Sequence, residues 1–206
     1  MPSSSSSRPA RAQAVLEGTT TVLVEHGYAS LTVEKVAAQA HASKATIYKS
    51  WPTKTDLVCA VAAYVRLVPV EEPPAGVGAA EALAGIAAAV RSVTLGVNGR
   101  LLLALHEASR AEPKIADAVD EHLVRPQQEA IAAVLRTLQG RSSIAADADA
   151  ALASRVIVSL IIDRALVSSE PLSDEELDRI VAQWLVPALT PRAPGGRTLG
   201  PTAGPG

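Results

Sequence analysis

Phenylalanine is absent from this 206-residue chain, and with two Trp and three Tyr the aromatic content is only 2%. Stacked aromatic walls are therefore excluded as a main device, and any core or pocket must be built from aliphatic side chains. A single cysteine, Cys59, rules out an internal disulfide, and its apolar surroundings point to a buried, inert thiol. No apolar run approaches the roughly eighteen residues of a membrane-spanning helix, and the Ser-rich N-terminus lacks an apolar signal core. A cytoplasmic chain without a membrane partner is expected. The four histidines, His26, His41, His106 and His122, fall in different segments without metal-ligand spacing. Neither a His-Glu-x-x-His pattern, a Gly-x-Ser-x-Gly pattern nor a phosphate-binding Gly loop is present. No catalytic residue, metal site or cofactor is expected, and an enzyme is the weaker functional class.

What the chain does have is 48% hydrophobic and 19% charged residues, enough for a small domain followed by a medium one. Net charge is −2, but it is unevenly spread: residues 1–65 carry six Lys/Arg against four Asp/Glu, the remainder thirteen against seventeen. The excess of positive charge in the first third suits contact with an anionic partner through a few placed residues rather than a broad basic field.

The stretch Thr32–Leu57, TVEKVAAQAHASKATIYKSWPTKTDL, organises the rest. Thr32 can cap a helix whose apolar face is Val33, Val36, Ala37 and Ala40, with Leu31 packing on Val36. His41 takes the turn, where a left-handed residue is usual. Ser43 caps a second short helix, Lys44–Ser50, with Ile47 facing inward and Trp51 behind it; Pro52 ends it. Two short helices joined by about three residues form the unit that lays its second helix in a DNA major groove. That helix displays Lys44, Thr46, Tyr48 and Lys49. Thr53 opens a third helix with Asp56 as its capping-box partner. Lys54, a cation in the first turn, is unfavourable against the helix dipole unless an anion such as a phosphate sits there; the alternative is a solvated lysine.

The pattern A-x-x-A-x-A-x-x-S-K-x-T-x-Y-x-x-(aromatic)-x-x-K-x-x-L resembles the DNA-binding domain of the TetR family of bacterial repressors, and the likeness extends over residues 10–189. Two departures stand out: His41 and Ala45 where the family usually has Gly, which would stiffen or strain the turn, and Trp51 where it usually has Phe. The resemblance implies an all-α homodimeric repressor with a three-helix N-terminal DNA-binding domain and a larger C-terminal domain that dimerises and binds a small molecule. It also implies Thr32, Ser43, Lys44, Ala45, Thr46, Tyr48, Lys49 and Lys54 as the contacts to double-stranded operator DNA.

Around this head, residues 1–9 read as a disordered tail, with Arg8 and Arg11 either a minor-groove arm or an untethered basic tail. A first helix, Ala10–His26, stops at Gly27. The helix from Thr53 runs to Val68 as a strut, giving a DNA-binding unit over 10–68. PVEEPPAGVG is a loop. The second domain spans 79–189: a helix ending at the Asn98-Gly99 turn, a shorter Leu-rich one, a long helix Pro113–Gln139 kinked at Pro126, a helix capped by Asp147 through Ser168, and a last one opened by the Ser173/Glu176 capping box. VIVSLII, residues 156–162, would pass as a strand, but the apolar pattern continues from Ala150 to Val167 and no second strand exists to pair with it. Residues 190–206 read as a disordered tail.

A helix apolar on all sides is buried on all sides. The last two helices are expected either to form a four-helix dimer interface through Ile157, Leu160, Ile161, Ile180 and Trp184, or to complete a monomer core. Tyr64, Leu102, Leu105, His106, Arg110 and Asp163 are the expected effector pocket. Its polar members must satisfy one another or a ligand, and the scarcity of aromatics favours an aliphatic or small mixed-polarity effector. The competing reading is a DNA-binding protein with the same head and no effector.

Overall fold

A computed structural model describes residues 7–67, 70–168 and 172–191. All described regular structure is helical: α1 Ser7–Ser30, α2 Val33–Gln39, α3 Lys44–Ser50, α4 Lys54–Tyr64, α5 Ala79–Ser92, α6 Gly96–Ala111, α7 Pro113–Val119, α8 Arg125–Gly140, α9 Ala150–Ser168, α10 Asp174–Ile180 and α11 Val186–Leu189. Single π-helical turns, Asp120–Val124 and Val181–Leu185, join α7 to α8 and α10 to α11. Each π turn stops two residues before a proline, Pro126 or Pro187. Proline has no N–H for the ladder and crowds the preceding turn, and the widened turn absorbs both effects.

Side-chain caps set the starts of five helices, α2, α3, α4, α9 and α10. Thr32 accepts from the Lys35 amide at 3.3 Å, Ser43 from the Thr46 amide at 3.1 Å, and Thr53/Asp56 and Ser173/Glu176 form the two expected reciprocal boxes. Four boundaries differ from the sequence reading. Helix α1 begins at Ser7, three residues inside the expected tail, while its expected stop at Gly27 stands: φ 71° and ψ 170° there are non-helical and open to glycine, and the helical residues up to Ser30 follow that kink. Helix α4 stops at Tyr64 because Val65 is extended and the Arg66 guanidinium takes the free carbonyls of Ala63 and Val65 at 2.7 and 3.1 Å. Val68, the expected end of the strut, lies outside the described residues, as do residues 1–6 and 192–206 of the two expected tails. The α5–α6 corner is at Val93–Leu95, and Asn98-Gly99 lies inside α6. Gly99 is required there because a Cβ would lie 2.0 Å from the Thr94 carbonyl oxygen. Asp149, not Asp147, caps α9, accepting from the Ala151 and Leu152 amides at 3.0 and 2.9 Å.

Two apolar clusters hold these elements. The first unites Val15, Leu23, Val36, Ile47, Leu57 and Val61 of α1–α4 with Leu101, Leu105 and Ala108 of α6 and Ile115 of α7. The second joins α5, α8, α9, α10 and α11 through residues such as Leu83, Ile86, Ile131, Leu135 and Ile157. Helices α6 and α7 therefore pack on the unit α1–α4, although α6 begins some thirty residues after α4 ends. Gly18 lets the end of α2 approach α1, where a Cβ would meet that of Ala40 at 3.1 Å. Cys59 is only half-buried, and burial pushes its thiol up, keeping it protonated.

Candidate nucleic-acid interface and ligand cavity

Helix α3 buries one side chain in the fold. Ile47 is fully buried while Lys44, Ala45, Thr46, Tyr48 and Lys49 are all exposed, so the helix stands out from the surface on a single apolar anchor. The turn before it holds His41 at φ 50°, the left-handed conformation that the departure from glycine makes strained. Ser43 does double duty, capping α3 and meeting the Thr46 hydroxyl at 2.8 Å. Lys44 pairs with Glu34 of α2 at 3.0 Å and holds that carboxyl below its usual range. Such an exposed pair contributes little to stability and exchanges readily for a phosphate. Thr32 lies exposed at the start of α2 on its own cap bond.

Lys54 is the first residue of α4. Its ammonium stands 4.1 Å from the centroid of the Tyr28 ring and donates to the Tyr28 carbonyl at 3.0 Å. An ammonium has three donors, so two remain at this helix start. The capping carboxylate, Asp56, is held below its usual range chiefly by Lys114 at 2.5 Å and by Thr53. That bond joins α4 to α7.

Behind the head, a cavity of about 400 Å³ opens between the two apolar clusters. Its walls are α5 (Val90), α6 (Leu102, Leu105, His106, Ser109), the π turn (Asp120, Leu123), α8 (Gln127) and α9 (Val158, Ile162, Asp163), with Leu67 from the segment after α4. Four of the six expected pocket residues, Leu102, Leu105, His106 and Asp163, meet here. The other two do not. Tyr64, the last residue of α4, turns to α1 and donates to Glu17 Oε1 at 3.1 Å. Arg110 is exposed and does not contribute to the cavity lining. Sequence reasoning missed Gln127. The signal was available: Leu123, Ile131, Leu135 and Leu138 form an apolar stripe on which Gln127 is the one polar position.

Helix α9 has two apolar faces. Ile157 and Ile161 are 1% exposed and belong to the second cluster, so these two expected interface residues are corrected to core positions. The outward face is Leu152, Val156, Leu160 and Val167, from 43% to 74% exposed, beside Trp184 at 71%. Leu160 and Trp184 stay on the expected surface, with Ile180 half-buried next to them.

Among the described residues no single helix is long and apolar enough to cross a membrane. Residues 15–61 match the model of the bacterial regulatory proteins of the tetR family, and residues 73–184 match that of the tetracyclin repressor-like C-terminal domain. A DNA-binding transcriptional repressor of Mycobacteroides abscessus, TetR, is 29% identical over 184 residues, covering 89% of this chain and 96% of that one. An HTH-type transcriptional regulator of Mycobacterium tuberculosis, described as uncharacterized, is 28% identical over 177 residues, covering 85% and 86%. Among solved structures, the TetR family transcription regulator SCO0332 superposes with a TM-score of 0.64 at 25% identity, over 88% of this chain and 99% of that one. A TetR transcription regulator from Haloarcula marismortui shares the fold at a TM-score of 0.69 and 19% identity, over 88% and 100%. With a capped, protruding α3 on a single apolar anchor and both halves matched in sequence, the chain belongs to the TetR family of DNA-binding transcriptional regulators.

Proposed function

We propose that the protein is a cytoplasmic homodimeric repressor that reads a two-fold operator with α3 and leaves it when a small molecule fills the cavity. In this reading residues 10–68 form the DNA-binding unit and 79–189 the effector-binding and dimerisation unit. The observation that carries it is the position of α6. One face of that helix, Leu101, Ala104, Leu105 and Ala108, is embedded in the cluster that holds α1–α4, and Leu102, Leu105, His106 and Ser109 wall the cavity. A ligand that prefers one position of α6 thereby prefers one position of the head, and it shifts the equilibrium by that difference in affinity.

Thr46, Tyr48 and Lys49 face base edges in this scheme, with Lys44 and Lys54 on phosphates. The exposed stripe Leu152, Val156, Leu160 and Val167 with Trp184 covers its counterpart on a second copy, in the self-complementary manner of a two-fold contact. Protection mapping of bound genomic fragments tests the reading. Two related half-sites about one DNA turn or a multiple apart are expected, with Thr46 variants changing the preferred sequence. Protection of a single unsymmetrical half-site would overturn the dimeric arrangement.

A further inference from the structure

Gln127 is 7% exposed, and its Nε2 is fully buried with no hydrogen-bond acceptor. It sits in the cavity wall on an otherwise apolar stripe of α8, where leucine would pack without penalty. An orphaned buried donor is costly, and an acceptor brought to it by a ligand would relieve that cost. The polarity of the cavity is graded. Gln127 is buried, Ser109 half-buried, and His106, Ser159 and Asp163 exposed, so the chamber has a dry apolar floor and a wet polar mouth. Its charge is one-sided. Among the described residues no Lys or Arg lines it, Asp120 is taken by Arg125 at 2.7 Å, and Asp163 stands at the mouth. A carboxylate or phosphate entering would meet no lysine or arginine and, beside the paired Asp120, one carboxylate, Asp163.

We propose that the ligand is an uncharged, mainly aliphatic carbonyl compound whose oxygen accepts a hydrogen bond from Gln127 Nε2. This rests on the cavity being the effector site. The terminal torsion of glutamine is broad and roughly two-fold, so the amide can turn its N–H toward the chamber when an acceptor arrives. The surrounding Val90, Leu105, Val158 and Ile162 take up the aliphatic body, and the absence of aromatic walls leaves flat ring systems without a stacking partner.

The test uses the intact protein and three probes of matched length: 2-octanone, its alkene counterpart 2-methyl-1-octene, and octanoate. Binding is followed by calorimetry and by the side-chain amide signals of ¹⁵N-labelled protein, the Gln127 pair being the one lost in Gln127→Leu. The ketone should bind about tenfold more tightly than the alkene and shift the Gln127 amide pair. Gln127→Leu should abolish that preference while retaining alkene binding, and octanoate should bind most weakly. Equal affinities for ketone and alkene in the parent protein, or a preference that survives in Gln127→Leu, would overturn the role of Gln127 and leave the cavity as a site. Octanoate binding as tightly as the ketone would overturn the uncharged class. Failure of all three probes to bind at millimolar concentration would overturn the cavity reading itself.

Discussion

Replacing Lys54 by alanine should produce two separable losses, because its ammonium has one donor engaged within the fold and others free. The internal loss comes from the contact with the Tyr28 ring at 4.1 Å and the bond to the Tyr28 carbonyl at 3.0 Å. A partly exposed cation–π contact is worth about 1 kcal/mol and a charged hydrogen bond somewhat more in full burial. With the half-buried position of Lys54 taken into account, the sum is about 1–2 kcal/mol, or a fall in Tm of about 3–6 °C for a chain of this size. The second loss is one phosphate contact in each half-site, two per bound dimer. Each contact contributes about 0.9 to the slope of log K against log salt, so the affinity ratio of parent to variant should shrink about 12-fold between 50 and 200 mM salt. Fluorescence anisotropy with labelled operator over a salt series reads the slope, and thermal denaturation reads the stability. Tyr28→Leu separates the two effects, since it removes the ring while keeping carbonyl and cation: stability should fall with the slope unchanged. If Lys54→Ala retained the parent's slope across the series, Lys54 would be a structural cation and its assignment to a phosphate would be wrong.

Leu160→Glu should give folded monomers by sedimentation, because Leu160 is 43% exposed in the subunit, whereas Ile161→Glu should unfold the chain by burying an unpaired carboxylate. Dimers of parental stability in Leu160→Glu would refute the outward stripe as an interface. Gly99→Ala should lose at least about 3 kcal/mol, since its Cβ would overlap backbone atoms of Thr94 at 2.0 and 2.6 Å, while Gly85→Ala, with open space around it, should gain about 0.5–1 kcal/mol. Denaturant titration checks both signs. The Asp56 carboxyl is depressed in the fold, so its contribution is present above its ordinary value near 3.8 and disappears as pH falls through the lower folded value. Asp56→Asn should therefore be less stable than the parent at pH 7, with the difference closing in strong acid; a gap that persists at pH 2 would show that charge is not its cause.

The parts of the fold readable from sequence were those decided within a few residues. Thr32, Ser43, Thr53 with Asp56, and Ser173 with Glu176 cap their helices through neighbours three positions away, and those starts appear where local chemistry puts them. What was not readable depends on distant backbone. Asn98-Gly99 has the composition of a turn, yet Gly99 is there to let the Thr94 carbonyl come close. Helix α9 is a different case. It reads as apolar all round when only its aliphatic residues are weighed, but Arg155, Ser159 and Asp163 form an exposed polar stripe four residues apart, and the buried Ile157 and Ile161 lie opposite it; that phase is present in the sequence and is lost only when the polar residues are set aside. The cavity was half legible: polar residues on apolar segments were visible, but which of them converge depends on how distant helices pack. Tyr64 faces α1 and bonds Glu17, and Gln127 was hidden inside a helix read for its kink.

The sharing of one apolar cluster between α1–α4 and α6–α7 bears on how such regulators can be recombined. A fragment cut after Arg66 would present the faces of Val15, Leu57 and Val61 that α6 and α7 now cover, so it would not behave as a free-standing module. A chimera that grafts this reading head onto another regulator's body must bring along, or match, the surface formed by Leu101, Ala104, Ala108 and Ile115. New DNA specificities are then more cheaply reached by exchanging the exposed side chains of α3 than by exchanging heads, because α3 meets the rest of the protein through Ile47 and little else.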